Sequence, residues 1–248
     1  YSDRVEGFGL DENWVDITPI TKDFDDALLL AEEIRRRVAR ELGVTVSVGI
    51  ADNKVFSKLG SDIKKPDAVT VVSPENYKRV AWPLPVGDLL YVGRATEAKL
   101  ARYGVTTIGE LAAAPEGFLK SQLGKCGLML HAFANGRDIS PVLRFDETPP
   151  PKSIGNGITT PRDLVDEADV YLVVYMLTES VAARLRAQGC RARCIQLSVR
   201  DTHLYTFMRQ QRLNPATDIT AELVEAAMSL FRASYNWAIP VRALSVTA

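Results

Sequence analysis

The chain has 248 residues, 46% hydrophobic and 25% charged, with a formal net charge of −1. This length suits two or three domains with ordinary cores. A net charge near zero excludes recruitment of a polyanion by a global field, so any nucleic-acid surface must arise from local charge segregation.

No apolar run approaches the length of a membrane span, and no secretory signal is present. Three cysteines (Cys126, Cys190 and Cys194) and two histidines supply neither a disulfide framework nor a zinc site. A reduced, cytoplasmic setting is expected.

Residues 4–10 and 14–18 predict two strands around an Asp11-Glu12-Asn13 turn. The adjacent carboxylates are hard oxygen donors of the kind Mg²⁺ prefers. Such a pair beside a phosphate-binding lysine is one way to build a nucleotidyl-transfer site; alone, it is more often a solvated turn. Residues 25–42 predict a helix with an apolar stripe from Ala27 to Leu42 and a stop at Gly43. Residues 44–51 alternate as a half-buried strand. Asp52 or Asn53 can cap a helix over 54–63, Pro66 stops it, and Val69 to Val72 form a further strand. Lys65, just past that helix, could hold a triphosphate as a compact point charge or be an ordinary surface lysine. The chain opens on Tyr1 almost directly in a strand, and it is expected to be a piece of a longer protein.

From Pro83 the pattern changes. Residues 86–136 carry short helical patterns with glycine punctuation. The run Tyr91-Val92-Gly93-Arg94-Ala95-Thr96, with Lys99-Leu100 and Tyr103-Gly104-Val105 after it, reads as helix, turn, helix. It resembles a helix-hairpin-helix, whose turn amides grip a DNA phosphate without reading bases. Tyr91 stands where such hairpins carry their first glycine, and the residues alone leave an ordinary helical hairpin equally open. Residues 137–151, with Pro141, Pro149, Pro150 and Pro151, predict a stiff tether.

Residues 152–248 predict a βαββαβ unit: a four-stranded sheet with two helices on one face and the other face free. Between residues 184 and 212 stand Arg184, Arg186, Arg191, Arg193, Arg200, Arg209 and Arg212 against the single acid Asp201. That segregation fits a phosphate-backbone footprint, with a solvated arginine-rich sheet as the alternative.

In this order the pieces resemble the Y-family (UmuC/DinB-like) translesion DNA polymerases, over nearly the whole chain. Four blocks carry the resemblance. They are Gly9-Leu10-Asp11-Glu12-Asn13-Trp14-Val15-Asp16-Ile17-Thr18, then Val48-Gly49-Ile50-Ala51-Asp52-Asn53-Lys54-Val55-Phe56-Ser57-Lys58 running to Asp62 and Lys65-Pro66, then Tyr91 to Leu111, and finally Lys152-Ser153-Ile154-Gly155-Asn156 through Pro161-Arg162 with Arg200-Asp201 and Arg209 to Leu213. The implied fold is α+β. It comprises the C-terminal part of a palm (1–82), a small all-α helix-hairpin-helix thumb (83–136), a linker (137–151) and a little finger (152–248).

The resemblance also implies DNA-directed DNA synthesis past damage, in the setting of DNA repair and the SOS response. Two Mg²⁺ ions would be held by three carboxylates, of which this chain supplies Asp11 and Glu12; Asp16 would support them. Lys65 would contact the deoxynucleoside triphosphate. Gly93, Arg94 and Thr96 would hold primer-template DNA through the thumb. Ser153, Gly155, Asn156, Thr159, Arg209, Gln211 and Arg212 would grip it through the little finger. A sliding clamp is a further expected partner.

The family's first catalytic aspartate, steric gate and fingers belong upstream of Tyr1, so the chain alone is expected not to polymerise. Gly9 stands in place of the family's usual serine. The rival readings are a non-catalytic DNA-binding accessory derived from the same fold, a metal-dependent nucleotide cyclase, and a protein-interaction fragment.

Overall fold

The computed structural model describes residues 1–147 and 150–248. It divides into two compact units, Tyr1–Thr148 and Pro149–Ala248.

The first unit begins with an antiparallel hairpin, β1 (Val5–Phe8) and β2 (Glu12–Val15), in which Phe8 pairs with Glu12. The turn is therefore Gly9-Leu10-Asp11, earlier than the expected Asp11-Glu12-Asn13. Gly9 takes a left-handed φ of 70°, a step that costs glycine little. Trp14, only 8% exposed, fixes which residues of β2 face the protein. The second strand ends short of Thr18 because the Asp16 carboxylate accepts the Thr18 amide at 3.0 Å.

Helix α1 (Phe24–Leu42) is capped by Asp23, which accepts from the amides of Asp25 and Asp26, and it ends on left-handed Gly43. A parallel crossover follows: β3 (Val48–Ala51), α2 (Lys54–Ile63) and β4 (Val69–Val72). The expected strand over 44–51 is half that length. Its partner β4 has only four residues, and Val44 is 54% exposed. The two strand pairs form separate two-stranded sheets. Asn53 caps α2 by accepting the Phe56 amide at 2.9 Å. Gly49 lets β3 touch α2 backbone to backbone, because a Cβ there would lie 1.9 Å from the Ser57 carbonyl oxygen.

Val55, Phe56 and Leu59 of α2 join a single buried cluster with the short helices that follow. These are α3 (Tyr77–Val80), α4 (Arg94–Ala101), α5 (Ile108–Ala113), α6 (Glu116–Leu123) and α7 (Lys125–Ala134), with a 3-10 turn at Val86–Asp88. This core spans the boundary at 82/83 expected from sequence. The tether expected over 137–151 is held to β1 at its middle. The Leu143 amide donates to Glu6 at 2.7 Å, the Phe145 amide to the Asp3 carbonyl at 3.1 Å, and Arg144 pairs with Asp3. Residues 148 and 149 of that stretch lie outside the described residues.

The second unit is β5 (Gly155–Leu164), α8 (Glu167–Ala187), β6 (Ala192–Asp201), β7 (Thr206–Thr217), α9 (Thr220–Ser234) and β8 (Val241–Thr247). The sheet order is β5-β8-β6-β7, antiparallel throughout, so β5 and β6 run parallel with β8 between them. Ile195, Leu197 and Val199 of β6 pack under Val174, Leu177 and Val181 of α8 and Leu223, Ala227 and Phe231 of α9. Both helices therefore cover one face, and the other is open, as expected of the α+β arrangement.

Candidate active site and nucleic-acid interface

Trp14 docks the hairpin on α2. Its indole N–H donates to the Lys54 carbonyl oxygen at 3.0 Å, its ring meets Phe8 at 4.7 Å, and the Lys54 ammonium lies 5.1 Å from the ring centre. Lys54, Lys58 and Asp62 recur every four residues and so share one face of α2. Each finds a partner. Lys54 pairs with Glu6 at 2.5 Å. Lys58 bridges Glu12 at 2.9 Å and Asp62 at 2.5 Å, and Lys65 reaches Asp62 at 2.8 Å. Beyond Lys65, Asp67 is tied to Arg35 of α1 at 2.7 Å.

The result is a chain of alternating charge, Glu12–Lys58–Asp62–Lys65. Glu12, Lys58 and Lys65 line a cleft of about 540 Å³ between the hairpin, α1, β3 and α2, and Asp11 also lines that cleft. Burial alone would lower the Lys58 pKa, but its bonds to Asp62 and Glu12 outweigh burial and hold it above the ordinary lysine value. At Asp62 burial works upward, and the two lysines outweigh it, keeping the carboxyl below its usual range. Asp11 is exposed at the hairpin tip and makes no side-chain bond among the described residues. Asp16 is occupied with the Thr18 amide, which suits a supporting role.

The structure thus brings Asp11, Glu12 and Lys65 to one cleft. Sequence reasoning gave Lys58 no role, although the four-residue spacing of Lys54, Lys58 and Asp62 was a readable signal. The donor chemistry fits a divalent cation, since Asp11 and Glu12 are hard carboxylates open to solvent. Among the described residues no group of three potential metal ligands converges.

At the hairpin of the first unit, Gly93 caps α4, with Arg94 exposed and Thr96 half-buried in the first turn. The expected first helix is only the 3-10 turn at Val86–Asp88. Tyr91 adopts φ 70°, the left-handed conformation that a glycine would take there, and its ring lies 6.1 Å from Phe133.

In the second unit the register sorts the predicted contacts by face. Leu197 is buried under the helices and pairs with Arg209, and Ile195 pairs with Gln211. Arg209 and Gln211 therefore stand on the helix side of edge strand β7. Asn156 does too, since it donates to Ser180 of α8. Arg212, beside Cys194, is on the open face together with Gly155 and Thr159. Ser153 precedes β5 and is exposed.

Sequence reasoning missed the rows these residues belong to. One runs Gly155–Thr247–Gln196–Gln210, the next Gly157–Ser245–Ser198–Met208, and the third Thr159–Ala243–Arg200–Thr206. At Gly157 the face is tightly packed: a Cβ there would lie 2.8 Å from the Ser245 Cβ. Of the seven arginines, Arg186 and Arg191 are paired with Glu179 and Asp218. Arg193 and Arg212 have no ion pair among the described residues, and they flank a cleft of about 560 Å³ at the irregular stretch of β7.

The impB/mucB/samB family model matches residues 1–62, the thumb-domain model of DNA polymerase-iota matches 87–138, and the impB/mucB/samB family C-terminal domain matches 151–248. DNA polymerase IV of Acetivibrio thermocellus is 52% identical over 99% of this chain and 62% of its own length. DNA polymerase IV 1 of Bacillus subtilis is 37% identical over 100% of the chain and 59% of its own length. The chain thus spans about three-fifths of the curated relatives it matches. Among solved structures, a "Y-family DNA polymerase chimera Dbh-Dpo4(243-245)-Dbh" shares the fold with a TM-score of 0.80. It is 19% identical, with 99% of this chain and 70% of that one covered.

Proposed function

The chain belongs to the Y family (UmuC/DinB-like) of DNA polymerases, and from that premise we propose that the full-length protein is a template-directed DNA polymerase of the damage-bypass type. The observation that supports this best is the convergence of Asp11, Glu12 and Lys65 on one cleft, joined through Lys58 and Asp62.

Asp11 and Glu12 are the protein's carboxylate ligands from this chain, placed by the Gly9 turn at the tip of a hairpin anchored by Trp14. Divalent cations held there, Mg²⁺ in this reading, would lower the pKa of the primer 3′-hydroxyl and neutralise the leaving pyrophosphate. Lys65 meets the phosphates of the incoming deoxynucleoside triphosphate as a point charge. Glycine and arginine at the start of α4, with Thr96, hold the primer-template backbone. The open face of the second unit, with Gly155, Thr159 and Arg212, lies against the DNA; Ser153, Asn156, Arg209 and Gln211 act from its margins. Such contacts position the duplex and carry no base information.

The same reading places the protein in the cytoplasm, in DNA repair under the SOS response, with a sliding clamp as a partner. No helix among the described residues is long and apolar enough to cross a membrane.

The test is primer extension and DNA binding by full-length protein. Asp11→Ala and Glu12→Ala should each abolish nucleotide addition with DNA affinity nearly unchanged. Intact synthesis by Asp11→Ala would remove the metal assignment. DNA binding without extension by the unaltered protein would favour the accessory reading.

A further inference from the structure

Glu12 is not a free carboxylate. Its Oε1 accepts the Lys58 ammonium at 2.9 Å, and that ammonium is simultaneously 2.5 Å from Asp62 Oδ2. A small divalent cation sits about 2.1 Å from a carboxylate oxygen. If it bound the oxygen that Lys58 already holds, the two positive centres would be no more than about 5 Å apart, with part of the space between them shielded from water. Both cannot rest comfortably on Glu12. Lys58 has somewhere to go. Asp62 lies one helical turn further along the same face of α2, already bonded to Lys58 by the shorter of its two contacts. Release of the Glu12 contact with the Asp62 contact kept frees Glu12 and leaves Lys58 paired.

We propose that Lys58 is a resident counter-cation of the Glu12 carboxylate, displaced when a divalent cation binds, and that Asp62 is the acceptor that receives it. This rests on the reading of Asp11 and Glu12 as metal ligands and adds the element that sets how readily they take the ion. In the absence of a cation the ammonium offsets the Glu12 charge and holds the hairpin tip on α2. In its presence the ammonium releases Glu12 and is held by Asp62 alone. Lys65 shares Asp62 at 2.8 Å, so a phosphate that drew Lys65 away would leave Asp62 freer to hold Lys58. Anion and cation binding are thereby coupled through one carboxylate, and by linkage the coupling runs both ways.

The experiment is a titration of the full-length protein with Mn²⁺, followed by the electron paramagnetic resonance signal of the free ion. Circular dichroism and thermal melting confirm that each variant is folded. Lys58→Met keeps the apolar stem and should tighten Mn²⁺ binding at least five-fold. Asp62→Asn leaves Lys58 wholly on Glu12 and should weaken binding several-fold. In the Lys58→Met background, Asp62→Asn should have almost no effect, because there is no lysine left to receive. Simple through-space electrostatics predicts instead that the two changes add.

Additive effects, or Mn²⁺ binding by Lys58→Met equal to or weaker than that of the unaltered chain, would overturn the proposal. If Lys58→Met does not fold, Lys58→Gln takes its place in the same cycle with the same expectations. Asp11→Ala and Glu12→Ala separate the two levels. If they leave Mn²⁺ binding untouched, the ion binds elsewhere and the site reading itself is wrong. If they abolish it while the cycle is additive, only the exchange fails.

Discussion

The indole N–H of Trp14 donates to the backbone carbonyl of Lys54 at 3.0 Å, and with the Lys54–Glu6 and Lys58–Glu12 ion pairs it joins the hairpin that carries Asp11 and Glu12 to the helix that carries Lys58. Trp14 is buried in a sheet of only two strands, so β1 and β2 depend on contacts to other segments for their support. An isolated two-stranded hairpin is marginal in water.

Trp14→Phe should therefore keep most of the apolar burial and lose the donor, costing about 1 kcal/mol in urea unfolding of the first unit. Trp14→Ala should cost about 3–5 kcal/mol. Equal, negligible losses for both variants would show that the hairpin is not seated on α2.

Tyr91 stands in the left-handed region at φ 70°, where a side chain costs about 1–2 kcal/mol and glycine nearly nothing. Its contact with Phe133 offsets part of that cost. Tyr91→Ala loses the ring and keeps the strain; Tyr91→Gly loses both. The glycine variant should be the more stable of the two by about 1 kcal/mol, read as a difference in melting temperature. An alanine variant that matched or exceeded it would rule out the left-handed turn.

Glu6 holds both the Lys54 ammonium and the Leu143 amide. Burial pushes its carboxyl upward, and those bonds more than reverse the effect, so its pKa lies below the usual value of 4.5. A depressed carboxyl contributes stability that is fully present above its unfolded pKa and lost as pH falls through the folded one. Stability of the first unit should thus hold above about pH 4.5 and decline below it. Glu6→Gln should flatten that acid limb and release residues 143–145, seen as faster amide exchange at Leu143. An acid limb unchanged in Glu6→Gln would assign the decline to other groups.

In the second unit, Arg212 is on the open face and has no ion pair among the described residues. Arg209 is on the helix face, its guanidinium bonded to the Met208 carbonyl and set 5.2 Å from the Phe207 ring. Arg212→Ala should weaken DNA binding alike for all sequences and reduce the salt slope by about 1. Arg209→Ala should do less. The reverse order, measured by fluorescence anisotropy over a salt series, would mean that DNA approaches from the edge rather than the open face.

The local grammar of the chain was legible from residue types alone. A hairpin near Asp11, a helix cap at Asp52 or Asn53, Gly43 as a stop and the βαββαβ order of 152–248 each rest on short-range chemistry: a carboxylate's oxygens, an amide's need for an acceptor, the periods of 2.0 and 3.6. The same residues, through the resemblance they carry, identified the family. What the sequence could not place was anything set by the meeting of distant segments. The length of β3 was decided by its four-residue partner, and the faces of Asn156, Arg209 and Gln211 by the register between strands. The roles of Lys58 and Asp62 emerged only when Trp14 laid the hairpin on α2, because a charge acquires a partner through three-dimensional proximity, and residues 12 and 58 are neighbours only in the folded chain.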